Sequence, residues 1–178
     1  ILSAADARQY RALMLHAFEH AADAFTSTVE ERASEPESWW IQRVADPTGM
    51  STAFGAFEGT ELVGTVALAF SAKPKTKHKA LVIGMYVMPD WRGNGAARAL
   101  LQAAIDRCKS RGDILVMQLT VTDGNEPAVA LYRSAGFQPF GTEPMAIRTP
   151  AGFRSKVHMW LHLSGVASAA NTITARSP

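Results

Sequence analysis

The sequence contains one cysteine, Cys108, and no apolar run that approaches the ~20 residues of a membrane-spanning helix. A single cysteine excludes an internal disulfide framework and a metal site built on a cysteine cluster, so no metal is expected. The first residues also lack the charged-then-apolar pattern of a signal peptide. We therefore expect a cytoplasmic protein with no membrane partner.

Net charge is also small, because 18 lysines and arginines stand against 16 aspartates and glutamates, with both signs spread along the chain. A nucleic-acid-binding domain usually carries a concentrated basic surface, so no nucleic-acid partner is expected. The segment Ser71 to Lys79 contains four lysines and is interpreted as a solvated loop, with contact to an anionic ligand as the alternative. Charge alone therefore identifies no ligand.

Residue patterns predict one domain over residues 1–163 and a loose Ser/Ala/Thr-rich tail over 164–178. Helical spacing and apolar runs predict, in order, helices at Ala7 to Phe18 and Ser34 to Val44, strands at Phe54 to Phe57, Leu62 to Phe70 and Leu81 to Met88, a helix from Ala97 that ends at Gly112, a strand at Ile114 to Val121, a helix at Glu126 to Ala135, and strands at Phe137 to Ile147 and Lys156 to Leu163. Ser34 followed by Glu37 suggests a capping box. This order predicts an α/β (α+β) fold with a mixed central sheet flanked by helices.

The segment Arg92 to Ala97 connects the apolar strand to the long helix and contains two glycines. A helix N-terminus exposes unpaired N–H groups and partial positive charge, and glycine lets the backbone approach an anion closely. Arg92 adds a cation at the rim. The segment therefore predicts a phosphate or pyrophosphate site, and the alternative is a tight turn whose glycines serve packing alone.

Two other nucleotide-binding motifs fit this segment poorly. A P-loop requires Gly-x4-Gly-Lys-Ser/Thr, and no such string occurs. A dinucleotide fingerprint requires a third small residue where Arg98 stands, and its acidic residue should follow the next strand, whereas Asp113 precedes it. A dinucleotide-dependent oxidoreductase is therefore disfavoured.

The same segment resembles a known family signature. Arg92-Gly93-Asn94-Gly95-Ala96-Ala97 resembles the Arg/Gln-x-x-Gly-x-Gly/Ala motif of the GCN5-related N-acetyltransferase (GNAT) superfamily. Downstream, the family pattern Asn-x-x-Ala-x-x-Leu-Tyr-x-x-x-Gly-Phe is matched by Asn125, Ala128, Leu131-Tyr132 and Gly136-Phe137. The resemblance covers Leu81 to Phe137 by motif and the whole chain by element order, and it implies the GNAT-like acyl-CoA N-acyltransferase fold.

The resemblance also implies where the cosubstrate acetyl-CoA binds. The strand before the signature is expected to splay from its neighbour, so that main-chain groups of Met85, Tyr86 and Val87 pair with the pantetheine amides. One N–H there would polarise the thioester carbonyl. The pyrophosphate is expected at Arg92, Gly93, Asn94, Gly95, Ala96 and Ala97.

Two residues of the second motif are expected to contribute side chains. The resemblance implies that Asn125 hydrogen-bonds the cofactor arm, and its ordinary interpretation is a helix N-cap, so it can serve as both. The resemblance also implies that Tyr132 protonates the leaving thiolate, and the alternative is a core aromatic on the apolar face of its helix. Cys108 lies on the apolar stripe of the long helix and is interpreted as core packing.

The sequence departs from the family pattern at the general base. Many relatives carry a glutamate on a central strand, but Leu81 to Met88 contains no acid and Thr120 occupies the other such position. The open candidates, acting through water, are Glu58, Glu61, His78, Asp123 and Glu143, each of which is equally a surface residue. His158 and His162 share one phase of the last strand, and they line the acceptor pocket or face water.

The leading hypothesis is an N-acetyltransferase that transfers acetyl from acetyl-CoA to a primary amine of a small molecule or peptide by direct attack. The alternative is a catalytically impaired acyl-CoA-binding sensor or interaction module, which the missing carboxylate motivates. The first helices and the last hairpin are expected to form the acceptor pocket. Its apolar walls are expected to be aromatic side chains, and the alternative is that these side chains belong to the core: Phe25, Trp39, Trp40, Phe153 and Trp160. A homodimer through the last strands is the further expectation.

Overall fold

The computed structural model describes residues 1–163, so the predicted tail at 164–178 lies outside the described residues. Five helices and six strands follow one another along the chain: α1 Ala7–His20, α2 Val29–Ala33, α3 Glu37–Val44, β1 Ser51–Glu58, β2 Glu61–Phe70, β3 Lys79–Val87, α4 Ala96–Arg111, β4 Val116–Thr122, α5 Glu126–Ser134, β5 Gln138–Thr149 and β6 Gly152–His162. Short 3-10 turns stand at Ala4–Asp6, Ala22–Ala24 and Pro89–Trp91. None of the helices in residues 1–163 is long and apolar enough to cross a membrane.

The six strands form one mixed sheet in the order β1-β2-β3-β4-β6-β5. β1, β2 and β3 pair antiparallel, β3 and β4 pair parallel, and β4, β6 and β5 pair antiparallel. Side chains of α4 and α5 cover one face of the sheet, and α1 and α3 cover the other face of the β1 to β3 half. The predicted mixed sheet flanked by helices is confirmed.

β3 and β4 separate soon after they begin. Their ladder runs only from Lys79 opposite Val116 to Leu81 opposite Gln118. Beyond that point the two strands diverge. Leu81 is 43% exposed and Ile83, Gly84 and Met85 are partly exposed, whereas Val82, Tyr86 and Val87 are buried. The predicted apolar strand is thus central in the sheet but has no neighbour on one side over its second half.

β3 also contains a bulge. Thr65 lies opposite Tyr86 and Ala67 opposite Ile83, so two β3 residues stand against one β2 residue. Gly84 adopts φ +62, and a Cβ there would meet no atom nearer than 3.6 Å, so backbone conformation rather than crowding requires glycine. The bulge keeps Val82, Met85 and Val87 on the face covered by α4, with Tyr86 on the face covered by α1.

The predicted start of the second helix at Ser34 is wrong. A capping box stands earlier, where the Thr28 hydroxyl accepts from the Glu31 N–H at 3.2 Å and the Glu31 carboxylate accepts from the Thr28 N–H at 2.8 Å. Ser34 instead ends α2 and donates its hydroxyl to the Glu31 carbonyl. Pro36 separates α2 from α3, because proline suits a helix start and disrupts a helix interior.

The final hairpin is longer than its sequence pattern indicates. β5 and β6 pair as far as Thr149 opposite Gly152, whereas the predicted strands end at Ile147 and begin again at Lys156. Gly152 has φ +112, which suits the tight reversal. Apolar side chains alternate along β6, and Val157, Met159 and Leu161 pack against the α4 side of the core.

Cys108 is fully buried in this core, and burial raises the pKa of its thiol to about 12. In the unfolded chain a thiol ionises near pH 8.5, so unfolding becomes easier as pH rises through this range, by about 2 kcal/mol at pH 10. We expect the free energy of unfolding of a Cys108→Ala variant to fall less between about pH 8 and pH 10 than that of the wild type. Urea denaturation at both pH values measures this difference, and equal slopes would contradict it.

Candidate active site

The separated ends of β3 and β4 enclose a cavity of about 210 Å³, here called the transfer cavity. β3 and β4 form its sides, α5 closes it on one side, and the segment after α1 closes it on the other. Its lining consists of Ala24, Phe25, Thr26, Val82, Ile83, Gly84, Met85, Thr120, Val121, Thr122, Asn125, Ala128, Leu131, Tyr132 and Lys156. The splay therefore brings Met85, Asn125 and Tyr132, which the sequence motifs singled out, to one space.

The segment from Gly93 to Ala97 presents free main-chain donors at the start of α4. Gly93 has φ +81 and Gly95 has φ +84, and no atom lies within 4 Å of a Cβ built at either glycine. No side chain caps α4, and its first intrahelical bond joins the Ala99 N–H to the Gly95 carbonyl at 3.0 Å. The N–H groups of Gly93 to Ala97 thus have no hydrogen-bond partner within residues 1–163. Such an arrangement suits an anion.

Arg92 is held at the rim of this segment. Its Nε donates to the Val87 carbonyl at 2.9 Å, and its guanidinium carbon lies 5.6 Å from the centre of the Tyr86 ring. The contact fixes the guanidinium beside the end of β3 and leaves its terminal nitrogens for a ligand. The Tyr86 hydroxyl lies 3.0 Å from His16 Nδ1 of α1, which fixes the ring on the opposite side.

The main-chain groups of Met85, Tyr86 and Val87 do not face the same way. The Met88 N–H donates to the Val63 carbonyl at 2.9 Å. Because bonding direction alternates along an antiparallel ladder, the Tyr86 groups are directed towards β2 and the Val87 groups away from it. The Val87 carbonyl already accepts from Arg92. Met85 lines the transfer cavity, whereas Tyr86 and Val87 do not, and the Val87 main-chain groups lie on the side of β3 that faces away from β2.

Asn125 and Tyr132 project from α5. The Asn125 side-chain oxygen accepts from the Ala128 N–H at 3.3 Å, so the residue is the helix N-cap, and its amide nitrogen has no partner among the described residues. Tyr132 is 6% exposed, with its ring edge-to-face on Phe137 at 5.9 Å. Tyr132 lines the transfer cavity, and its hydroxyl has no hydrogen-bond partner in the described part of the chain. Burial raises the pKa of Tyr132 to about 12, so the group carries its proton at neutral pH.

Sequence reasoning missed Lys156, which the alternation of β6 placed with the outward polar side chains. The residue is 3% exposed and lines the transfer cavity. Its Nζ donates to the Thr122 hydroxyl oxygen at 2.9 Å and to the Ala24 carbonyl at 3.0 Å, while the Thr122 hydroxyl donates to the Asp23 carbonyl. Burial lowers the pKa of Lys156, and the carboxylates of Asp23 and Glu143 oppose that shift.

Only some of the proton-acceptor candidates lie near this cavity. Glu58 and Glu61 are exposed at the β1–β2 turn, and the main chain of His78 pairs with residues at the start of β4, where β3 and β4 are still joined. Asp123 is exposed at the end of β4. None of these four faces the transfer cavity.

The fifth candidate, Glu143, contacts His158 on the neighbouring strand. His158 Nε2 lies 3.2 Å from Glu143 Oε2, across the β5–β6 pair. His158 also stands directly opposite Thr120, which lines the transfer cavity. His162, by contrast, is exposed near the end of β6. Within residues 1–163 no group of three histidine, cysteine or acidic side chains is arranged to hold a metal.

A second cavity of about 180 Å³, here called the aromatic cavity, adjoins the first. The two share Phe25, Thr26, Ile83 and Gly84. Trp39 and Trp40 of α3 line the aromatic cavity, together with Tyr10, Met14 and Phe18 of α1. Phe153, which was expected in the acceptor pocket, is instead 56% exposed near the tip of the final hairpin.

The sequence of this chain is similar to those of known acetyltransferases. A family model described as the acetyltransferase (GNAT) family matches residues 12–137. The L-amino acid N-acetyltransferase AaaT of Escherichia coli is 30% identical over 103 residues, which is 58% of this chain and 62% of that protein. The [ribosomal protein bS18]-alanine N-acetyltransferase of Escherichia coli is 36% identical over 69 residues, which is 39% of this chain and 46% of that protein. The chain thus matches less than two thirds of the length of each.

Solved structures show the same fold at low sequence identity. The structure of yncA, a putative acetyltransferase from Salmonella typhimurium with its cofactor acetyl-CoA, has a TM-score of 0.78 at 20% identity and covers 96% of both chains. The ribosomal-protein-alanine N-acetyltransferase from Brucella melitensis has a TM-score of 0.75 at 23% identity, covering 90% of this chain and 96% of that one.

Proposed function

Because the chain belongs to the acetyltransferase (GNAT) family, we propose that it transfers an acetyl group from acetyl-CoA to the primary amine of a small molecule or peptide by direct attack. One observation carries the proposal: β3 forms one side of a cavity that a buried, proton-bearing tyrosine lines, and the same strand leads to the unpaired amides at the start of α4. We assign this activity to residues 1–163 as one domain.

The residues at the start of α4 fit the diphosphate of acetyl-CoA. Unpartnered N–H groups from Gly93 to Ala97 and the partial positive charge of a 16-residue helix favour a dianionic group, and Arg92 adds a full charge. Main-chain groups of Met85 and Val87 would bind the pantetheine amides where the missing β4 ladder leaves them free. The free Asn125 amide nitrogen would donate to the same arm while its oxygen caps α5.

When bound, acetyl-CoA supplies a thioester carbonyl that an amine can attack and a thiolate leaving group that needs a proton. Tyr132 holds a proton at its hydroxyl, with no competing acceptor in the described residues, and would give it to the departing sulfur. A main-chain N–H of Met85 or Val87 would stabilise negative charge on the carbonyl oxygen. Cys108 takes no part, since it is buried in the core away from the cavity.

The acceptor must lose a proton before it attacks, and the Glu143–His158 pair is the best-placed acceptor of that proton. The Glu143 carboxylate orients the imidazole at 3.2 Å, and His158 lies opposite Thr120 in the cavity lining. A water at Thr120 would complete the path, since that side chain is exposed to the cavity. This pair replaces the strand glutamate that the sequence lacks.

The alternative function is an acyl-CoA-binding module without turnover. The observation that favours it is the lining of the transfer cavity, which contains no aspartate, glutamate or histidine. Such a module would bind acetyl-CoA through the same α4 amides but would release no free thiol with any amine.

A thiol-release assay separates the two functions. We expect acetyl-CoA to yield free CoA only when a suitable amine is present, across a panel of amino acids, amino-acid amides, alkylamines and peptides with free N-termini. Isothermal calorimetry with acetyl-CoA alone provides the control, because both functions predict binding. Binding without thiol release from any amine would support the module, and absence of binding would contradict both.

We also propose a homodimer that forms through the final hairpin. β5 is the edge of the sheet, and it exposes Phe140 at 55% and Met145 at 63%. An exposed edge strand with apolar side chains is prone to pair with another strand. Light scattering of the wild type and of a Phe140→Lys variant tests this proposal.

A further inference from the structure

The two adjoining cavities are lined by positive charge without negative charge. Lys156 lines the transfer cavity, and Arg32 and Arg43 line the aromatic cavity, whereas neither lining contains an aspartate or glutamate. Arg32 is paired with Glu35 at 3.3 Å. Arg43 forms no ion pair with any described residue and lies over the Trp39 ring at 4.6 Å. This field opposes an acceptor with a second ammonium group and stabilises one that carries a negative charge.

Lys156 is the cation nearest the chemistry, because it shares the transfer cavity with Tyr132. An ammonium group has three N–H donors. Two are used by Thr122 and by the Ala24 carbonyl, and the third has no acceptor within residues 1–163. The carboxylates that face Lys156 are Asp23 and Glu143, which lie outside the cavity lining and oppose the lowering of its pKa by burial without bonding to it. A buried cation with one free donor is a site for an anionic oxygen.

The aromatic cavity supplies the complementary apolar space. Met14, Phe18 and Trp40 in its wall are all buried, and the cavity meets the transfer cavity at Phe25 and Gly84. An acceptor whose amine lies beside Tyr132 and whose carboxylate lies on Lys156 can direct a side chain into this space.

We infer that the acceptor is an α-amino acid with an apolar side chain, and that Lys156 binds its carboxylate. The inference rests on the proposed function, because it names the acceptor of that same site. Lys156 thereby selects the acceptor, and the aromatic cavity selects the side chain. Its bonds to Thr122 and Ala24 use two of the three N–H donors and leave one for the carboxylate.

The test compares matched acceptors that differ only at the carboxylate. Thiol release is measured with leucine and leucinol, methionine and methioninol, and phenylalanine and phenylalaninol, with kcat/KM expressed per free amine. We expect the amino acid of the best pair to be preferred about 10–100-fold, the range of one charge-assisted hydrogen bond. Lys156→Met should lower turnover of the amino acid by that factor more than turnover of its alcohol.

Thr122→Val is the matched control. It removes the hydroxyl that accepts from the Lys156 ammonium and donates to the Asp23 carbonyl, and it leaves the lysine itself in place. We expect it to lower turnover of both acceptors by a similar factor and to keep the preference. If Lys156 has only a structural role, each variant should instead lower turnover of the amino acid and of its alcohol by the same factor. That result, or a wild type that uses alcohol and amino acid alike, overturns the role of Lys156 and leaves the proposed function standing.

A wild-type measurement covers the case in which Lys156→Met does not fold. The deaminated acid 4-methylpentanoate should inhibit competitively against the amino acid, whereas 4-methylpentanol should inhibit at least about tenfold more weakly. Equal inhibition by the two overturns the inference. Absence of thiol release with every amine overturns the proposed function itself, and with it this acceptor.

Discussion

A Tyr132→Phe variant is expected to lower kcat about 10²–10⁴-fold with little change in the affinity for acetyl-CoA, the range for loss of a positioned general acid. Tyr132 lines the transfer cavity and its hydroxyl bonds to no described residue, so removal of the hydroxyl takes away a proton donor and no hydrogen bond within the protein. The phenyl ring keeps its edge-to-face contact with Phe137. Steady-state kinetics and calorimetry with acetyl-CoA measure the two quantities separately.

Stability and pH provide the controls for this variant. A hydroxyl without a protein partner adds nothing to the folded state, so the midpoint of thermal unfolding should stay the same or rise. Because the pKa of Tyr132 is raised to about 12, the wild type should retain this proton up to about pH 11, and no alkaline loss of activity below that pH should come from Tyr132. A kcat within a fewfold of the wild type would show that the thiolate is protonated by another group or by water.

A Gly95→Val variant is expected to weaken acetyl-CoA binding by more than about 100-fold. Gly95 has φ +84, a region that β-branched residues essentially avoid, so valine would force the loop out of its conformation. The N–H groups around it would then no longer converge on the diphosphate, and each charge-assisted hydrogen bond is worth about 1.5–3 kcal/mol. Calorimetry with acetyl-CoA measures the loss.

Gly112 offers a matched control at the opposite end of the same helix. It has φ +70, and like Gly95 it has no neighbour within 4 Å of a built Cβ. Gly112→Val should therefore cost similar stability, about 1–2 kcal/mol, and leave binding unchanged. Equal loss of affinity in both variants would mean that α4 stability, rather than the geometry of its first turn, controls binding.

Much of the cofactor end of the site could be predicted from local sequence. Gly93 and Gly95 adopt left-handed conformations in the segment whose N–H groups are unpaired within residues 1–163. Asn125 caps α5 at the position that the motif predicted. These features depend on neighbours within a few residues, so a short motif can encode them. Family membership and the mixed sheet followed from the same motifs and from the element order.

The acceptor end could not be predicted, because its parts are distant in the chain. Lys156 is buried only because the Ala24 carbonyl, 132 residues earlier, and Thr122 provide acceptors for its ammonium. Lysine is rarely buried without such partners, so strand alternation alone does not reveal that it is buried. The Glu143–His158 pair likewise depends on the register of β5 against β6, which includes irregularities that no local pattern shows.

Gly84 gave a signal that remained unused. An isolated glycine inside an apolar strand often marks a bulge or a close backbone approach. Here the bulge carries one extra residue, without which Met85, Tyr86 and Val87 would each turn to the opposite face of the sheet.

The wrong helix start at Ser34 came from choosing the wrong capping box. The capping box in the structure is at Thr28, at the start of the short helix α2, and Pro36 separates that helix from α3.

The brevity of the ladder between β3 and β4 has a mechanical consequence. Within residues 1–163, the three ladder pairs and the bonds from the Leu115 and Val116 N–H groups to the His78 carbonyl join one half of the sheet, β1 to β3, to the other half, β4 with β6 and β5. A pantetheine arm bound between the separated parts of β3 and β4 would supply hydrogen bonds that the two strands do not make to each other. Few hydrogen bonds therefore hold the two halves of the sheet together. Bound acetyl-CoA would restrict the motion of one half against the other, and its release would restore that motion.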